Sequence, residues 1–425
     1  MTKVNKGWEE LFERHNILYK VDTEGYYKVT SKAINKVREA RLMTKFDHKN
    51  NLPEIFQQNN LSILPITRGS YVISKFDAYK ELHYNKDLDT AEIEFPSEIE
   101  SIDFSNIYSE ATALNCAYST GIINLFLNEE HTLPTISGRM SSSSFSFNIR
   151  NIETNNKFPV DVQNSQVEID GGYEGRNKLM LVEAKNSVSK DFLVRQLYYP
   201  YRLWRQKVSK EVVPVFMTFS NDVWSFFEYK FTNPLEYNSL VLVKQRNYMI
   251  APEKINLNDI KNVLENVTII KEPKVSFPQA DSFKRVINLL EMLMEKDLDR
   301  DYLTHTLDVH PRQTNYYTSA AMYLGLIEKK REDGVTLYYV TEEGKKIMNM
   351  TYKKKYLSII EKILRNPSFN ESFRCFLKDG YPPDNKKIVE IMKKTNIYKV
   401  EKDSTFSRRA TTVKSWLDWI LSLQE

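Results

Sequence analysis

Near the middle of the chain, two runs of strand-like alternation are followed by a longer amphipathic run. Residues 166–170 alternate between apolar and polar side chains, and residues 171–175 are glycine-rich, which predicts a short strand and a turn. Residues 179–185 begin with the apolar run Leu-Met-Leu-Val, which predicts a second, buried strand. Apolar positions at helical spacing then predict a helix over about 189–204.

This hairpin pattern brings charged residues together at one strand end. Side chains alternate across a strand, so Glu183 and Lys185 share one face. The hairpin brings Asp170 towards Glu183. Oxygen ligands from one or two acids suit Mg²⁺, which keeps waters and a substrate phosphate in the rest of its coordination shell. A neighbouring lysine can position the water, hold the phosphate or help to deprotonate the nucleophile.

The tripeptide alone is weak evidence, because a surface hairpin with an ordinary Glu-Lys pair has the same letters. Asp/Glu-x-Lys also begins at other positions, most of them in polar or loop-like sequence, among them Asp47, Glu228, Glu272, Glu328, Glu343 and Asp384. Glu183 differs from these because it combines an upstream acid, a Gly-rich turn, a buried run and a following helix. We therefore favour the catalytic interpretation.

Asp170, twelve residues and then Glu183-Ala184-Lys185 resemble the PD-(D/E)xK motif of many type II restriction endonucleases. Four further runs resemble the same enzymes: residues 39–47 (EARLMTKFD), 63–69 (ILPITRG), 137–147 and 408–416 (RRATTVKSW). The resemblance covers most of the chain, although each motif is short, and Ile169 stands where the family has proline. It implies Mg²⁺ held by Asp170 and Glu183, double-stranded DNA as substrate, and functional pairing with a cognate DNA methyltransferase. A homodimer is left open.

Two other residues upstream of the hairpin are candidates for the site. Glu110 lies near the start of the helical run 109–127, and the resemblance to the nuclease superfamily implies that such a helix often contributes an acid to the metal site. An acid favourable to the helix dipole is an equal alternative. Arg139 precedes four serines and an alternating run, where it could meet a phosphate or a base edge. A flexible loop leading to an edge strand is the alternative there.

Downstream, residues 212–219 and 223–231 predict two more strands, so the core should hold a mixed sheet of at least four strands flanked by helices. After the proline-containing stretch 271–278, three short helical runs and a basic hairpin predict a winged helix-turn-helix. Its third helix would place Arg312, Gln313 and Asn315 at a DNA groove. Winged helices also serve as protein-binding or structural modules.

The last segment predicts a second, degenerate winged-helix-like domain. Its long helical run, residues 404–423, carries Arg408, Arg409 and Lys414, which we expect to contact DNA. Sixteen Lys/Arg against nine Asp/Glu give residues 351–425 a net charge of +7, which leaves −3 for the first 350 residues of a chain with a total of +4. A basic tail behind a modestly acidic front fits a phosphate-contacting module, although uneven solvation of surface helices would produce the same pattern.

The expected fold class is an α/β (α+β) nuclease core with mainly helical winged helix-turn-helix domains. The predicted domains are an N-terminal region at 1–85, the core at 86–275, and the two winged-helix units at 276–350 and 351–425. Two distant cysteines exclude a disulfide framework, and neither a signal peptide nor a membrane span is evident, which indicates the cytoplasm.

The leading hypothesis is thus a Mg²⁺-dependent restriction endonuclease that cuts at a short specific sequence. The main alternative is a sequence-specific DNA-binding regulator whose nuclease-like core is only a scaffold. A structure-specific repair nuclease would use the same chemistry, but it usually needs no two recognition modules.

Overall fold

The computed structural model describes residues 3–85, 87–251, 253–332, 334–395, 397–398 and 400–424. Four hydrophobic clusters lie in three stretches of the chain: one in the N-terminal region, two on either side of a central sheet, and one in the C-terminal region. Among the described residues, no helix has the length and apolar character needed to cross a bilayer.

The N-terminal region packs five helices against a three-stranded sheet, around a cluster that runs from Trp8 to Ile73. Its elements are α1 (Lys3–His15), α2 (Ile17–Glu24), β1 (Tyr27–Thr30), α3 (Ser31–Ile34), α4 (Ala40–Thr44), α5 (Glu54–Gln58), β2 (Ser62–Thr67) and β3 (Ser70–Ser74). Thr30 caps α3 through its side chain, which accepts from the backbone N–H of Ala33.

The central region is a mixed seven-stranded sheet. Its elements are β4 (Tyr79–Glu81), β5 (Thr90–Ile93), α6 (Glu110–Ser119), α7 (Ile122–Leu127), β6 (Leu133–Ser141), β7 (Phe145–Arg150), β8 (Lys157–Val162), β9 (Gln166–Glu174), β10 (Lys178–Lys185), β11 (Asp191–Leu193), α8 (Arg195–Arg205), β12 (Glu211–Ser220), β13 (Val223–Phe231) and β14 (Leu240–Ile250). The strand order is β5-β14-β13-β12-β10-β9-β6, with β10 parallel to β12 and β14 parallel to β5. Helices α6 and α7 cover one face and α8 covers the other, so the predicted mixed sheet flanked by helices is confirmed.

Two local predictions in this region are wrong. Gly171 and Gly172 continue β9 and do not form a turn. A Cβ at Gly172 would lie 2.6 Å from the Cβ of Ile136, so glycine here permits close approach of β6. The helix predicted from 189 begins only at Arg195, because residues 191–193 form β11 and pair with β4.

The C-terminal region contains α9 (Leu257–Asn266), α10 (Phe283–Glu295), β15 (Leu298–Asp299), α11 (Arg300–Thr306), α12 (Pro311–Tyr323), β16 (Ile327–Glu332), β17 (Val335–Val340), α13 (Glu342–Met348), α14 (Tyr352–Leu364), α15 (Pro367–Asp379), α16 (Asn385–Lys394) and α17 (Asp403–Leu421). Strands β15, β17 and β16 form a small sheet beside α10, α11 and α12. The described part of residues 351–425 contains helices and no strand pair, so it lacks the wing of the predicted second winged-helix-like domain.

The hydrophobic clusters also move the domain boundaries. The N-terminal cluster ends at Ile73, and the predicted boundary after 85 falls at Lys86, outside the described residues. Helix α9 belongs to the C-terminal cluster, which puts the end of the central region near residue 250 and not at 275. One continuous cluster spans Ile255 to Ile420 and joins the segments 276–350 and 351–425, because the α17 residues Trp416 and Trp419 pack on Phe283 of α10.

Candidate functional site: a carboxylate-rich centre around Lys185

The β9–β10 pair brings the three predicted residues together. Val182 pairs with Gly171, and one step further the backbone N–H of Ala184 donates to Oδ2 of Asp170 at 2.8 Å. Alternate residues of β10 pack under α6 and α7, whereas Leu179 and Leu181 pack on the α8 side. Glu183 and Lys185 continue that second set, as the strand period requires.

Glu183 is buried and receives two hydrogen bonds. Its Oε1 accepts from Nζ of Lys185 at 2.5 Å and from Nε2 of Gln196 at 2.5 Å. Burial raises the pKa of Glu183 to about 8, with a further increase from the charges of Asp170 and Asp47, while Lys185 opposes the shift. Helix α8 thus adds a further side chain, Gln196, to the site.

Four carboxylates act electrostatically on Lys185, and Glu183 pairs with it directly. Its burial would lower the pKa of its ammonium group, but the charges of Glu183, Glu110, Asp47 and Asp170 together raise it well above the ordinary value. Lys185 is therefore a permanent cation at neutral pH.

Glu110 joins the centre at the first turn of α6, which is capped by the side chain of Ser109. Burial raises the pKa of Glu110, Asp170 raises it further, and Lys185 and Lys45 lower it. Glu110 therefore lies both at the N-terminus of α6, where an acid interacts favourably with the helix dipole, and within electrostatic range of Asp170 and Lys185.

Asp47 comes from the N-terminal region and is 8% exposed. Burial would raise the pKa of its carboxyl, but the positive charges of Lys185, Lys45 and two histidines lower it. Lys45 lies at the mouth of the centre, with its side chain 63% exposed and Nζ 3.8 Å from Oδ2 of Asp47. Sequence reasoning missed Asp47, since Asp47-His48-Lys49 was one of the background tripeptides, although the run 39–47 carried the family resemblance.

A second group of buried, ionisable residues includes His48, the residue that follows Asp47. His48, Asp191 and Asp308 are buried, and their candidate ligand atoms lie within 4.8 Å of one another, which suits a metal ion. Among the described residues no other set of three ligating side chains is so close, so the carboxylates around Lys185 are more widely spaced.

Hydrogen bonds within the protein already involve all three residues of this second group. Nδ1 of His48 lies 2.8 Å from the backbone oxygen of Asp191 and 3.3 Å from its Oδ1. The backbone N–H of Lys49 donates to the Asp191 carboxylate, and that of Lys190 donates to Asp308. Burial opposes protonation of His48, but Asp191 and Asp308 raise its pKa above the ordinary value.

The predicted DNA-contacting residues lie apart from this centre. Arg139 on β6 is half exposed and forms an ion pair with Glu168 at 3.1 Å. The remaining six lie in the C-terminal region, with Arg409 partly buried and the others exposed: Arg312, Gln313 and Asn315 on α12, and Arg408, Arg409 and Lys414 on α17.

A polar cleft of about 360 Å³ ends at Asp170. Its walls are α6, through Ala111 and Asn115, and β6, through residues 134–137.

Comparison with protein families divides the chain where the hydrophobic clusters do. Residues 5–73, 74–249 and 285–425 match three families, each described as a domain of unknown function (DUF6996, DUF6997 and DUF7226). Neither the curated proteins nor the solved structures contain a match. The family descriptions assign no activity, but the three matched segments supply Asp47, the Asp170–Lys185 hairpin and Asp308 respectively.

Proposed function

We propose that this protein is a metal-dependent endonuclease that hydrolyses phosphodiester bonds of double-stranded DNA at a short specific sequence, as restriction enzymes do. The observation that carries the proposal is the convergence of Asp170 and Glu183 on Lys185 at one strand end, with Glu110 and Asp47 completing an acidic shell.

The donor set fits a hard divalent cation. Four carboxylates act on one buried lysine, and burial, reinforced by the charges of Asp170 and Asp47, raises the pKa of Glu183 to about 8. Oε1 of Gln196 is buried without a hydrogen-bond donor, so it can accept from a cation-bound water. Asp170 and Glu183 would hold Mg²⁺, with oxygen ligands as this ion requires. When bound, the cation lowers the pKa of a coordinated water and stabilises charge on the scissile phosphate.

Other residues of the chain would bind the phosphate or orient the carboxylates. The carboxylates around Lys185 raise the pKa of its ammonium group, so Lys185 can act as a cation that holds the phosphate or the water. The N–H of Ala184 fixes the direction of the Asp170 carboxylate. Lys45, exposed at the mouth, lies where it would meet an incoming phosphate.

The C-terminal region supports DNA as the substrate. The order α10-β15-α11-α12-β16-β17 is that of a winged helix-turn-helix, in which the third helix enters the groove. Its turn is held beside the centre, since Nε2 of His305 lies 3.3 Å from the backbone oxygen of Lys45. A duplex bound by α12 would therefore lie close to the catalytic strand end.

Plasmid digestion tests the proposal. We expect discrete fragments in Mg²⁺, none in EDTA, and sequence-selective binding without cutting in Ca²⁺, whose larger size and looser geometry differ from those of Mg²⁺. Lys185→Ala and Glu183→Gln should lower cutting by roughly 100- to 1,000-fold or more with unchanged circular dichroism. The glutamine is isosteric and can still accept from Lys185.

Lys210→Ala is the matched control. Lys210 pairs with Glu174 at the opposite end of the same hairpin, with its Nζ 2.6 Å from Oε1 of Glu174, and its loss should leave cutting unchanged. Selective DNA binding without cutting in any divalent cation would instead favour a regulator with a non-catalytic core.

A further inference from the structure

Two side chains of the C-terminal region donate hydrogen bonds to the chain segments that carry the centre. On α10, Nδ2 of Asn288 donates to the backbone oxygen of Asn186 at 2.9 Å. On α11, Nε2 of His305 lies 3.3 Å from the backbone oxygen of Lys45, two residues before Asp47. Because a backbone oxygen only accepts hydrogen bonds, His305 makes this contact through an Nε2–H group.

Both accepting carbonyls lie just beyond the end of a regular element. Strand β10 ends at Lys185, so the carbonyl of Asn186 lies outside the ladder and takes a donor from α10. Helix α4 ends at Thr44, and Lys45 is its C-cap residue. The C-terminal region therefore holds the backbone next to Lys185 and close to Asp47, at points that lie beyond the strand and the helix.

Asn288 is a buried amide within an apolar stretch of α10. It is 0% exposed, and its neighbours on the helix are buried apolar residues: Val286, Ile287, Leu289 and Leu290. Its Nδ2 also lies 3.4 Å from Oε2 of Glu291, whereas its Oδ1 has no hydrogen-bond donor among the described residues. A buried polar atom without a partner costs stability, so packing alone would favour an apolar residue here. The contact with Asn186 supplies a reason for asparagine at this position.

We propose that Asn288 and His305 are positioning residues of the carboxylate-rich centre, an inference that rests on the proposed function. Asn288 holds the end of β10, and with it the ammonium group of Lys185 beside Glu183. His305 holds the segment that carries Asp47. Displacement of a catalytic group by about 1 Å can lower a reaction rate by roughly 100-fold, so the loss of either donor should slow cutting.

The helices that carry these two donors also support α12, the helix proposed to enter the DNA groove. Oγ1 of Thr304 on α11 lies 2.7 Å from Oγ1 of Thr314 on α12. Helices α10, α11 and α12 share one hydrophobic cluster. The element that would bind the duplex and the elements that position the centre therefore form one packed unit, and cutting depends on the C-terminal region as well as on the strand end.

The inference is tested by single-turnover cutting at saturating Mg²⁺ and duplex, together with calorimetric titration of Mg²⁺ without DNA. Asn288→Leu keeps a similar volume but removes the donor to Asn186. It should lower the cutting rate and the Mg²⁺ affinity roughly 10- to 100-fold, as for residues that orient the groups of a metal site. Its affinity for duplex in EDTA should be unchanged, because no side chain that faces DNA is altered.

His305→Leu should act in the same direction but less strongly. The backbone oxygen of Asp47 also accepts from the N–H of Leu193 at 2.9 Å, so the segment keeps a second anchor. His305→Gln carries an N–H donor at the same distance along the side chain as Nε2 of histidine, and it should restore cutting. If Asn288→Leu does not fold, this pair decides: recovery in the glutamine variant supports the inference, and equal rates in the two variants overturn it.

Asn366→Leu is the matched control. Asn366 is also buried, and its Oδ1 also has no donor among the described residues, but its Nδ2 donates within the C-terminal region, to the backbone oxygen of Lys362 at 2.8 Å. This variant should lose stability in urea unfolding and yet keep wild-type cutting and Mg²⁺ affinity. An equal loss of cutting in Asn366→Leu, or wild-type values in both Asn288→Leu and His305→Leu, would overturn the inference.

The nuclease proposal can fail separately. If wild type binds Mg²⁺ but never cuts DNA, the nuclease is refuted, and weaker Mg²⁺ binding by Asn288→Leu than by Asn366→Leu keeps the inference. If wild type cuts and the Asn288 and His305 variants cut at the same rate, the nuclease stands and the inference fails. Absence of both Mg²⁺ binding and cutting in wild type would refute both.

Discussion

Two buried groups of charge lie side by side in this protein, one around Lys185 and one around His48. In the first, four carboxylates face one buried lysine, and the pKa of Glu183 rises to about 8. In the second, two carboxylates face one histidine whose pKa is raised, and backbone N–H groups complete both acids. With every group ionised, the first has four negative charges against one positive charge, and the second has two against one, with a backbone N–H donor for each acid.

The difference separates a ligand site from a structural joint. Excess charge costs folding free energy, so it is expected where a ligand later neutralises it. A group in which one cation faces two hydrogen-bonded acids has a smaller excess, and it stabilises the contact of the elements that carry it. His48, Asp191 and Asp308 belong to the N-terminal, central and C-terminal regions, which suits a joint.

Among the substitutions that test this comparison, Asp47→Asn should have the largest effect. Asp47 is the acid that the N-terminal region adds to the excess, and its charge acts on both Lys185 and Glu183. We expect Mg²⁺ affinity and cutting to fall about 10- to 100-fold, as for residues that support a metal site. Calorimetric titration of Mg²⁺ measures the first effect and plasmid digestion the second.

Asp22→Asn is the control, because Asp22 pairs with Lys75 at 3.2 Å on the surface of the same region. Wild-type Mg²⁺ affinity in Asp47→Asn would mean that the centre is complete within the central region.

Asp47 also shows where sequence reasoning reached its limit. Asp170, Glu183 and Lys185 were predictable because strand alternation and a hairpin relate residues that are close in sequence. Asp47 approaches Lys185 across more than 130 residues, through packing of separate regions that no local period encodes. Gln196 was missed as a site residue for a lesser reason, since the start of α8 depends on the pairing of β11 with β4.

The fold, too, was predictable where it depends on local patterns and was not predictable where it depends on distant contacts. The alternating runs of β9, β10, β12 and β13 predicted the centre of the sheet. The glycines of β9 suggested a turn because their role, close approach of Ile136, depends on a neighbouring strand. The second winged-helix-like domain was predicted from helices alone, and those helices instead complete the hydrophobic cluster of the first.

A smaller effect, on stability only, is expected when the His48 group is broken. Asp308→Asn removes one of the two negative charges that raise the pKa of His48, together with a carboxylate that accepts from Asn50 and from the backbone N–H of Lys190. Removing one partner of a buried ion pair costs about 3–5 kcal/mol. Urea unfolding measures the loss, and Asp301→Asn, on an exposed acid of α11, is the control. Because both acids of the group already have donors within the protein, the wild-type unfolding midpoint should be the same with and without EDTA. Stabilisation by Zn²⁺ that Asp308→Asn abolishes would show that the three residues hold a metal.

The smallest expected effect concerns a third group of charged residues, which lies between the central and C-terminal regions. Glu291 of α10 accepts from the backbone N–H of Asn221 at 2.9 Å, close to Asp222, whose carboxylate pairs with Lys355 at 2.9 Å. Two acids face one lysine here, and burial, followed by the charge of Asp222, raises the pKa of Glu291 to about 7. This excess is relieved by a proton and not by a cation.

The sign of the pH dependence follows from that raised pKa. Between the ordinary pKa of 4.5 and the folded value of about 7, the unfolded chain loses the Glu291 proton while the folded protein keeps it. The contribution to stability is therefore complete below pH about 4.5, falls as pH rises, and levels off above about 7. Glu291→Gln should remove roughly 1–3 kcal/mol of this decline, measured by urea unfolding from pH 5 to 8. Glu295→Gln, at an exposed position of the same helix, should retain it. An unchanged pH profile in Glu291→Gln would mean that Glu291 is ionised in the folded protein, with Lys355 shared between both acids.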